Sequence, residues 1–224
     1  MIPRLIHLLC KDKEKDSPYL DRVQALHPGW DIVRYDDADM MAWVSRQHSD
    51  RLSAYQSLST AIQRSDMFRI LILYARGGFY LDTDIHCFRS LETLREHALV
   101  LGEEKTLTAA EMRLPHHHYA LRIGNYLMGS QAGHPFLNAF LDTMQLLARR
   151  PIATENDVLE TTGPGALTNF YHEQSAGYPD IHLVRNPGRR CIRNCCPQPS
   201  CHFGDFAAHL HLGSWRWQSI QSLL

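Results

Sequence analysis

Residues 76–88 read RGGFYLDTDIHCF, so Asp82 and Asp84 stand one residue apart, directly after a glycine pair and a short apolar run. Carboxylates this close repel each other and are costly to bury, so water, a shared proton or a cation must compensate them. If the run continues as a strand, residues i and i+2 share a face, and both side chains present oxygen to one point in space. That point suits Mg²⁺ or Mn²⁺, hard ions that take carboxylate and phosphate oxygens together. A solvated loop carrying two acids is the plainer alternative. A phosphatase-type hydrolase, with the first carboxylate as nucleophile, and a non-catalytic sugar- or metal-binding module use the same letters.

The elements that must position this pair can be read outward from it. STAIQRSDMFRILILYARGG, 59–78, has Thr60 and Gln63 spaced as a capping box and Gly77 placed as a terminator. Its apolar residues lie nearly all round, which predicts a central, buried helix delivering a buried strand over 79–81. Upstream, RLIHLL at 4–9, a short helix opened by Ser17 and Pro18 and stopped at HPGW, and WDIVRYDD make a β-α-β start, followed by a polar helical stretch around 37–56. Downstream, HALVLGEE, YLMGSQ and DIHLVRN read as strands, HPFLNAFLDTMQLLARR as an amphipathic helix, and VLETTGPGALTNFYHEQ as a turn and a helix. Alternating strands and helices predict an α/β sheet domain, with NPGRRCIRNCCPQPSCHFGD irregular.

With 224 residues, 44% hydrophobic and 21% charged, the chain can build one substantial core, and a single domain over 1–224 is expected. Lys+Arg 23 against Asp+Glu 24 leaves a formal charge of -1 without long like-charged runs, which argues against a nucleic-acid partner. Any anionic ligand must therefore be bound locally. ILILYA at 70–75 falls far short of the roughly 20 apolar residues a membrane span needs. MIPRLIHLLCKDKEKD has too short an apolar run for a secretory signal, so a cytoplasmic location is expected, with peripheral contact at the inner face of a membrane still compatible.

SDMFRILILYARGGFYLDTDI, 65–85, resembles the DXD-containing sugar-binding region of glycosyltransferase family 32, which includes yeast outer-chain alpha-1,6-mannosyltransferases and bacterial polysaccharide enzymes. It is distantly similar to the clostridial glucosylating toxins. The match needs Ser65-Asp66, Arg69, Gly77-Gly78, Tyr80 and both aspartates in register. IPRLIH, HPGWDIVRYDD, IGNYLMGSQAGHPFL, TTGPGALT and HLGSW support it along nearly the whole chain.

The resemblance implies a GT-A fold, a single mixed sheet flanked by helices. It also implies a nucleoside diphosphate sugar donor, a saccharide or glycolipid acceptor, Mn²⁺ or Mg²⁺, and hexosyl transfer with retention. Asp82 and Asp84 would hold the metal, with His211 as a third ligand. Asp66 and Arg69 would grip the transferred sugar, with Arg69 also reaching phosphate; an intrahelical ion pair is the alternative. Tyr80 and Asn125 would contact the donor, although core packing and a structural turn explain them as well. Ser214 and Trp215 would close over the diphosphate, shielding the reacting centre from water. Cys10 stands where family members often carry a base-stacking tryptophan, so neither UDP nor GDP is indicated. Cys191, Cys195, Cys196 and Cys201, with His202, are either a zinc knuckle or loop thiols that are simply reduced.

Overall fold

The computed structural model describes residues 1–13, 19–194, 196 and 199–212. The first unit is β1 (Leu5–Leu9), α1 (Leu20–Leu26) and β2 (Asp31–Tyr35). Ser17 and Pro18, read as the start of α1, lie outside the described residues. The polar stretch around 37–56 divides into α2 (Asp37–Gln47) and α3 (Leu52–Ser57). α4 (Ala61–Arg76) then runs directly into β3 (Gly78–Leu81) and β4 (Ile85–Cys87). β5 (Leu99–Thr106) and β6 (Leu121–Ser130) precede α5 (Pro135–Leu147), α6 (Glu155–Thr161) and α7 (Pro164–Gln174). β7 (Ile181–Val184), β8 (His202–Phe203) and β9 (Ala207–His209) complete the described elements.

The main sheet has the order β2-β1-β3-β6-β5-β7. β1 pairs parallel with β2 and β3, and β5 with β7, while β6 runs antiparallel to both β3 and β5. The chain leaves β1 for β2 on one side and returns to β3 on the other. Such a reversal opens a crevice beyond the carboxyl ends of the two neighbouring strands. Residues 10–12 and 82–84 emerge there.

Alternation along β3 divides the core. Phe79 and Leu81 pack with Ile6, Leu8, Val23 and Phe203 on one face, and Tyr80 packs with α4, α5 and α7 side chains on the other. α4 lies against that second face. Its capping box forms, Thr60 Oγ1 accepting from the Gln63 N–H while the Gln63 side chain accepts from the Thr60 N–H, and Gly77 ends the helix at φ 66°. Phe68, Leu71, Ile72 and Leu73 are fully buried, at about 1.5–3 kcal/mol of transfer free energy each. Asp66 and Arg69 are buried on the same helix.

Beside the main sheet stands a small one, β4-β9-β8, absent from the sequence-based expectation. Its strands are two or three residues long, too short to carry a periodicity. It matters because β9 brings the end of the described chain back against β4.

Candidate functional site

Asp82, Thr83 and Asp84 form the turn between β3 and β4 and do not continue the strand. β3 stops at Leu81 because the chain folds back, the Ile85 N–H donating to the Asp82 carbonyl at 3.1 Å. The two carboxylates still converge, but through the turn and with the help of β9. His209, at the end of β9, places Nε2 3.2 Å from Asp84 Oδ1 and 3.9 Å from Asp82 Oδ2. All three donor atoms lie within 4.8 Å of one another.

His209 therefore stands where His211 was expected. Two residues further on, the backbone has left the strand, with φ 51° at His211, and its Nε2 lies 2.7 Å from Cys201 Sγ. The sequence signal for His209 was present in the dipeptide His-Leu repeated at 209–212, and the HLGSW resemblance favoured the second copy. Ser214 and Trp215 lie outside the described residues.

α4 supplies the inner wall. Asp66 Oδ1 accepts from Asn125 Nδ2 at 3.0 Å, and Asp66 Oδ2 accepts from Thr162 Oγ1 at 3.1 Å. Arg69 lies between two acids, 3.4 Å from Asp66 Oδ1 and 3.4 Å from Asp82 Oδ1, and donates to the Asn125 carbonyl at 2.7 Å. Its guanidinium covers the Tyr80 ring at 4.6 Å, and the Tyr80 hydroxyl donates to Asp82 Oδ1. The intrahelical pair and the pocket-facing role are thus one arrangement. Thr162, from the TTGPG stretch, is a member of it that residue-type reasoning passed over.

Burial and charge work against each other at every group. Burial lifts the Asp66 carboxyl above its usual range, beyond what Arg69, Thr162 and Asn125 restore. Burial opposes the Arg69 charge, but Tyr80 and the surrounding aspartates outweigh it and hold the guanidinium protonated. Burial also presses on Asp84, yet the His209 hydrogen bond and charge and the Leu212 N–H keep its carboxyl below the usual range. His209 responds in kind: burial lowers it, and the Asp84 hydrogen bond with the Asp82 and Asp84 charges raises it further.

These groups line a cavity of about 690 Å³, of the size that holds a substantial small-molecule ligand. Among the described residues, seven Asp and Glu side chains line it, against three from Lys and Arg, so these walls are acidic. Among the described residues, buried Arg69 Nε, Tyr126 Oη and His209 Nδ1 have no hydrogen-bond partner. A nucleotide diphosphate would be repelled by such walls unless a cation came with it. Two carboxylate oxygens and an imidazole nitrogen form a donor set that fits Mn²⁺ or Mg²⁺.

Residues 13–101 match the family described as the glycosyltransferase sugar-binding region containing the DXD motif. The matched stretch contains Asp66, Arg69, Tyr80, Asp82 and Asp84. It is 28% identical over 166 residues to inositol phosphoceramide mannosyltransferase 3 of Schizosaccharomyces pombe, covering 73% of this chain and 43% of that protein. It is 25% identical over 190 residues to the initiation-specific alpha-1,6-mannosyltransferase of the same organism, covering 75% of this chain and 47% of that protein. The chain spans less than half the length of these curated relatives. Among solved structures, the PaToxG glycosyltransferase superposes with a TM-score of 0.55 at 17% identity, over 79% of this chain and 71% of that one. The fold is the GT-A-type glycosyltransferase fold expected from the resemblance. Among the described residues, no helix is long and apolar enough to cross a membrane.

Proposed function

We propose that this DXD glycosyltransferase moves a mannosyl residue from a nucleoside diphosphate sugar to a glycolipid or saccharide acceptor, with retention at the anomeric carbon. The observation that carries this is the acidic cavity at the β1/β3 switch point, where Asp82, Asp84 and His209 converge on one point and Asp66 and Arg69 face the same space. The sugar follows from the relatives, which are named as mannosyltransferases although their named acceptors differ. Retention rests on the family resemblance alone.

Asp82, Asp84 and His209 would hold the divalent cation, which when bound supplies Lewis-acid stabilisation of the departing diphosphate. The rest is done by the chain itself. Arg69 fixes the position of Asp82 and keeps a permanent positive charge at the inner wall, and its partnerless Nε is available to a donor oxygen. Asp66, braced by Asn125 and Thr162, offers acceptor oxygens suited to sugar hydroxyls. Tyr80, kept protonated by burial, orients the Asp82 carboxylate from below. The segment 210–212 closes one edge of the cavity, the Leu212 N–H donating to Asp84 Oδ2 at 2.7 Å.

The test is a donor screen of UDP- and GDP-sugars with Mn²⁺, read as donor hydrolysis and as transfer to inositol-phosphate-containing glycolipid and to mannoside acceptors. A mannosyl donor should be turned over in preference to glucosyl and galactosyl donors. Cleavage of a phosphomonoester without turnover of any nucleotide sugar would sink the reading.

A further inference from the structure

The Cys-rich loop takes no part in the transfer site, yet three of its thiols meet. The Sγ atoms of Cys191, Cys196 and Cys201 lie within 4.8 Å of one another, Cys191 and Cys201 buried, and the Cys196–Cys201 separation is 3.6 Å. That is far beyond a disulfide bond of about 2.05 Å, and close to the edge of about 3.8 Å expected in a tetrahedron of thiolates around zinc with Zn–S of about 2.3 Å. His211 Nε2 lies 2.7 Å from Cys201 Sγ but outside the group of three thiols, so it must swing toward Cys191 and Cys196 to serve as a fourth donor. An ion between them would part that one edge by roughly 1 Å.

The backbone points to the same place. Among the described residues, the non-glycine positions with positive φ are Asn194, Cys201 and His211, all in this loop or in the segment it meets. Side chains rarely adopt such a conformation, and it persists where the surroundings hold it. Here it sets His211 against Cys201, itself one of the three clustered thiols. His202, next to Cys201, is turned away, its Nδ1 lying 3.1 Å from the Ser200 carbonyl.

We propose that Cys191, Cys196, Cys201 and His211 form a structural zinc site that fastens the Cys-rich loop to the segment following β9. Three thiols and an imidazole are soft and borderline donors, suited to zinc, whereas the oxygen-rich cluster at Asp82 and Asp84 suits harder ions. The protein thus separates two metals by donor chemistry. On binding, each of the three thiols releases its proton to solvent and coordinates as thiolate. The consequence reaches the cavity. Arg193 donates to the carbonyls of Leu210 and His211 at 3.2 and 3.1 Å, and the Leu210 N–H donates to the Asp84 carbonyl at 3.1 Å. Zinc would hold in register the segment that begins at His209. The closed set does the work of a core in a loop that has little apolar content of its own.

The experiment is metal analysis of the full chain, purified under reducing conditions without added metal. Wild type should contain stoichiometric zinc, and replacement by Co²⁺ should give the thiolate charge-transfer band and intense visible bands of a tetrahedral site. Cys201→Ser and His211→Ala should each lower zinc affinity by more than about tenfold, while Cys10→Ser and the double variant Asp82→Asn/Asp84→Asn should retain the metal. If Cys201→Ser does not fold, the cobalt spectrum of wild type decides. Wild type without zinc and without a cobalt–thiolate band overturns the proposal. So does a His211→Ala protein that keeps zinc at wild-type affinity, or a Cys196–Cys201 disulfide in the reduced preparation.

Discussion

Asp84 and Asp66 are both carboxylates on one cavity, and their surroundings predict different consequences of removal. Asp84 sits in a turn, partnered by His209 and the Leu212 N–H, and two more carboxylates, Asp82 and Asp66, lie nearby around Arg69. Because those partners hold the Asp84 carboxyl below its usual range, its charge is net favourable in the fold, so Asp84→Ala should still fold but lose about 1 kcal/mol of metal-free stability. Its turnover should fall by at least about 10²-fold, because leaving-group stabilisation acts in the transition state. Asp66 is buried and accepts from Asn125 and Thr162 beside a buried guanidinium. Asp66→Ala would leave Arg69 without its helix partner and cost about 3 kcal/mol of stability, so the isosteric Asp66→Asn is the informative variant. Asp66→Asn should raise the KM for the sugar nucleotide while leaving nucleoside diphosphate affinity nearly intact. Calorimetry of both variants with nucleoside diphosphate and Mn²⁺ separates the roles. An Asp84→Ala protein that binds metal and diphosphate like the parent would refute the assignment. At this scale the structure brings Asp66, Arg69, Tyr80, Asn125, Asp82 and Asp84 around one cavity; the spacing of the sequence singled out the aspartate pair, and the family resemblance pointed to the other four. His209 was not legible, because its place depends on how β9 ends, a matter of tertiary pairing with β4.

The elements meet most tightly where α4 turns into β3. Gly78 has φ 96°, and a Cβ there would lie 2.5 Å from the Leu5 carbonyl on the adjacent strand. No flexible side chain can give way at that point, so Gly78→Ala should cost about 3 kcal/mol and lower Tm without altering residues of the cavity; an unchanged Tm would mean that β1 and β3 are not paired as described. The same junction is held from β1 by His7, whose Nε2 lies 2.9 Å from the Gly77 carbonyl and whose Nδ1 lies 3.3 Å from the Tyr35 hydroxyl. Burial, with the nearby Arg76 charge, outweighs the Gly77 contact and lowers the His7 imidazole to about 4. Because the folded value lies below the unfolded one, the unfolded chain binds more protons between about pH 6.5 and 4. Stability from His7 is therefore complete above pH 6.5 and is lost as pH falls through that window. Between pH 7 and 5 wild type should lose about 2 kcal/mol more than His7→Asn in urea unfolding, and parallel losses would show that His7 is not buried neutral. α4 and β3 were readable because a capping box, an apolar run and a glycine terminator agree locally. The polar stretch around 37–56 broke into two helices at 48–51, a boundary marked by neither glycine nor proline.

Across the whole molecule, the balance of charge decides how ligands enter. The chain is nearly neutral, with a formal charge of -1, yet among the described residues the cavity gathers seven carboxylates against three Lys and Arg side chains. That local surplus arises from topology, since the β2-β1-β3 reversal directs Asp12, Asp37, Asp82 and Asp84 toward one crevice from three separate stretches of chain. Composition averages it away, which is why the sequence implied a locally bound anion but not the polarity of its surroundings. A nucleoside diphosphate alone adds negative charge to an acidic wall, and Mn²⁺ alone relieves repulsion between Asp82 and Asp84. The two ligands must therefore help each other, and by linkage each raises the affinity of the other by the same factor. With both present at about 100 times their dissociation constants, the diphosphate contributes about 2.7 kcal/mol to the folded state, a Tm rise of roughly 5–10 °C for a domain of this size. Mn²⁺ alone should give a smaller rise, and the diphosphate with a chelator essentially none. Thermal unfolding under the four combinations of ligand reads this directly. A diphosphate that stabilises equally well with a chelator would show that basic groups, and not a cation held by Asp82, Asp84 and His209, receive it.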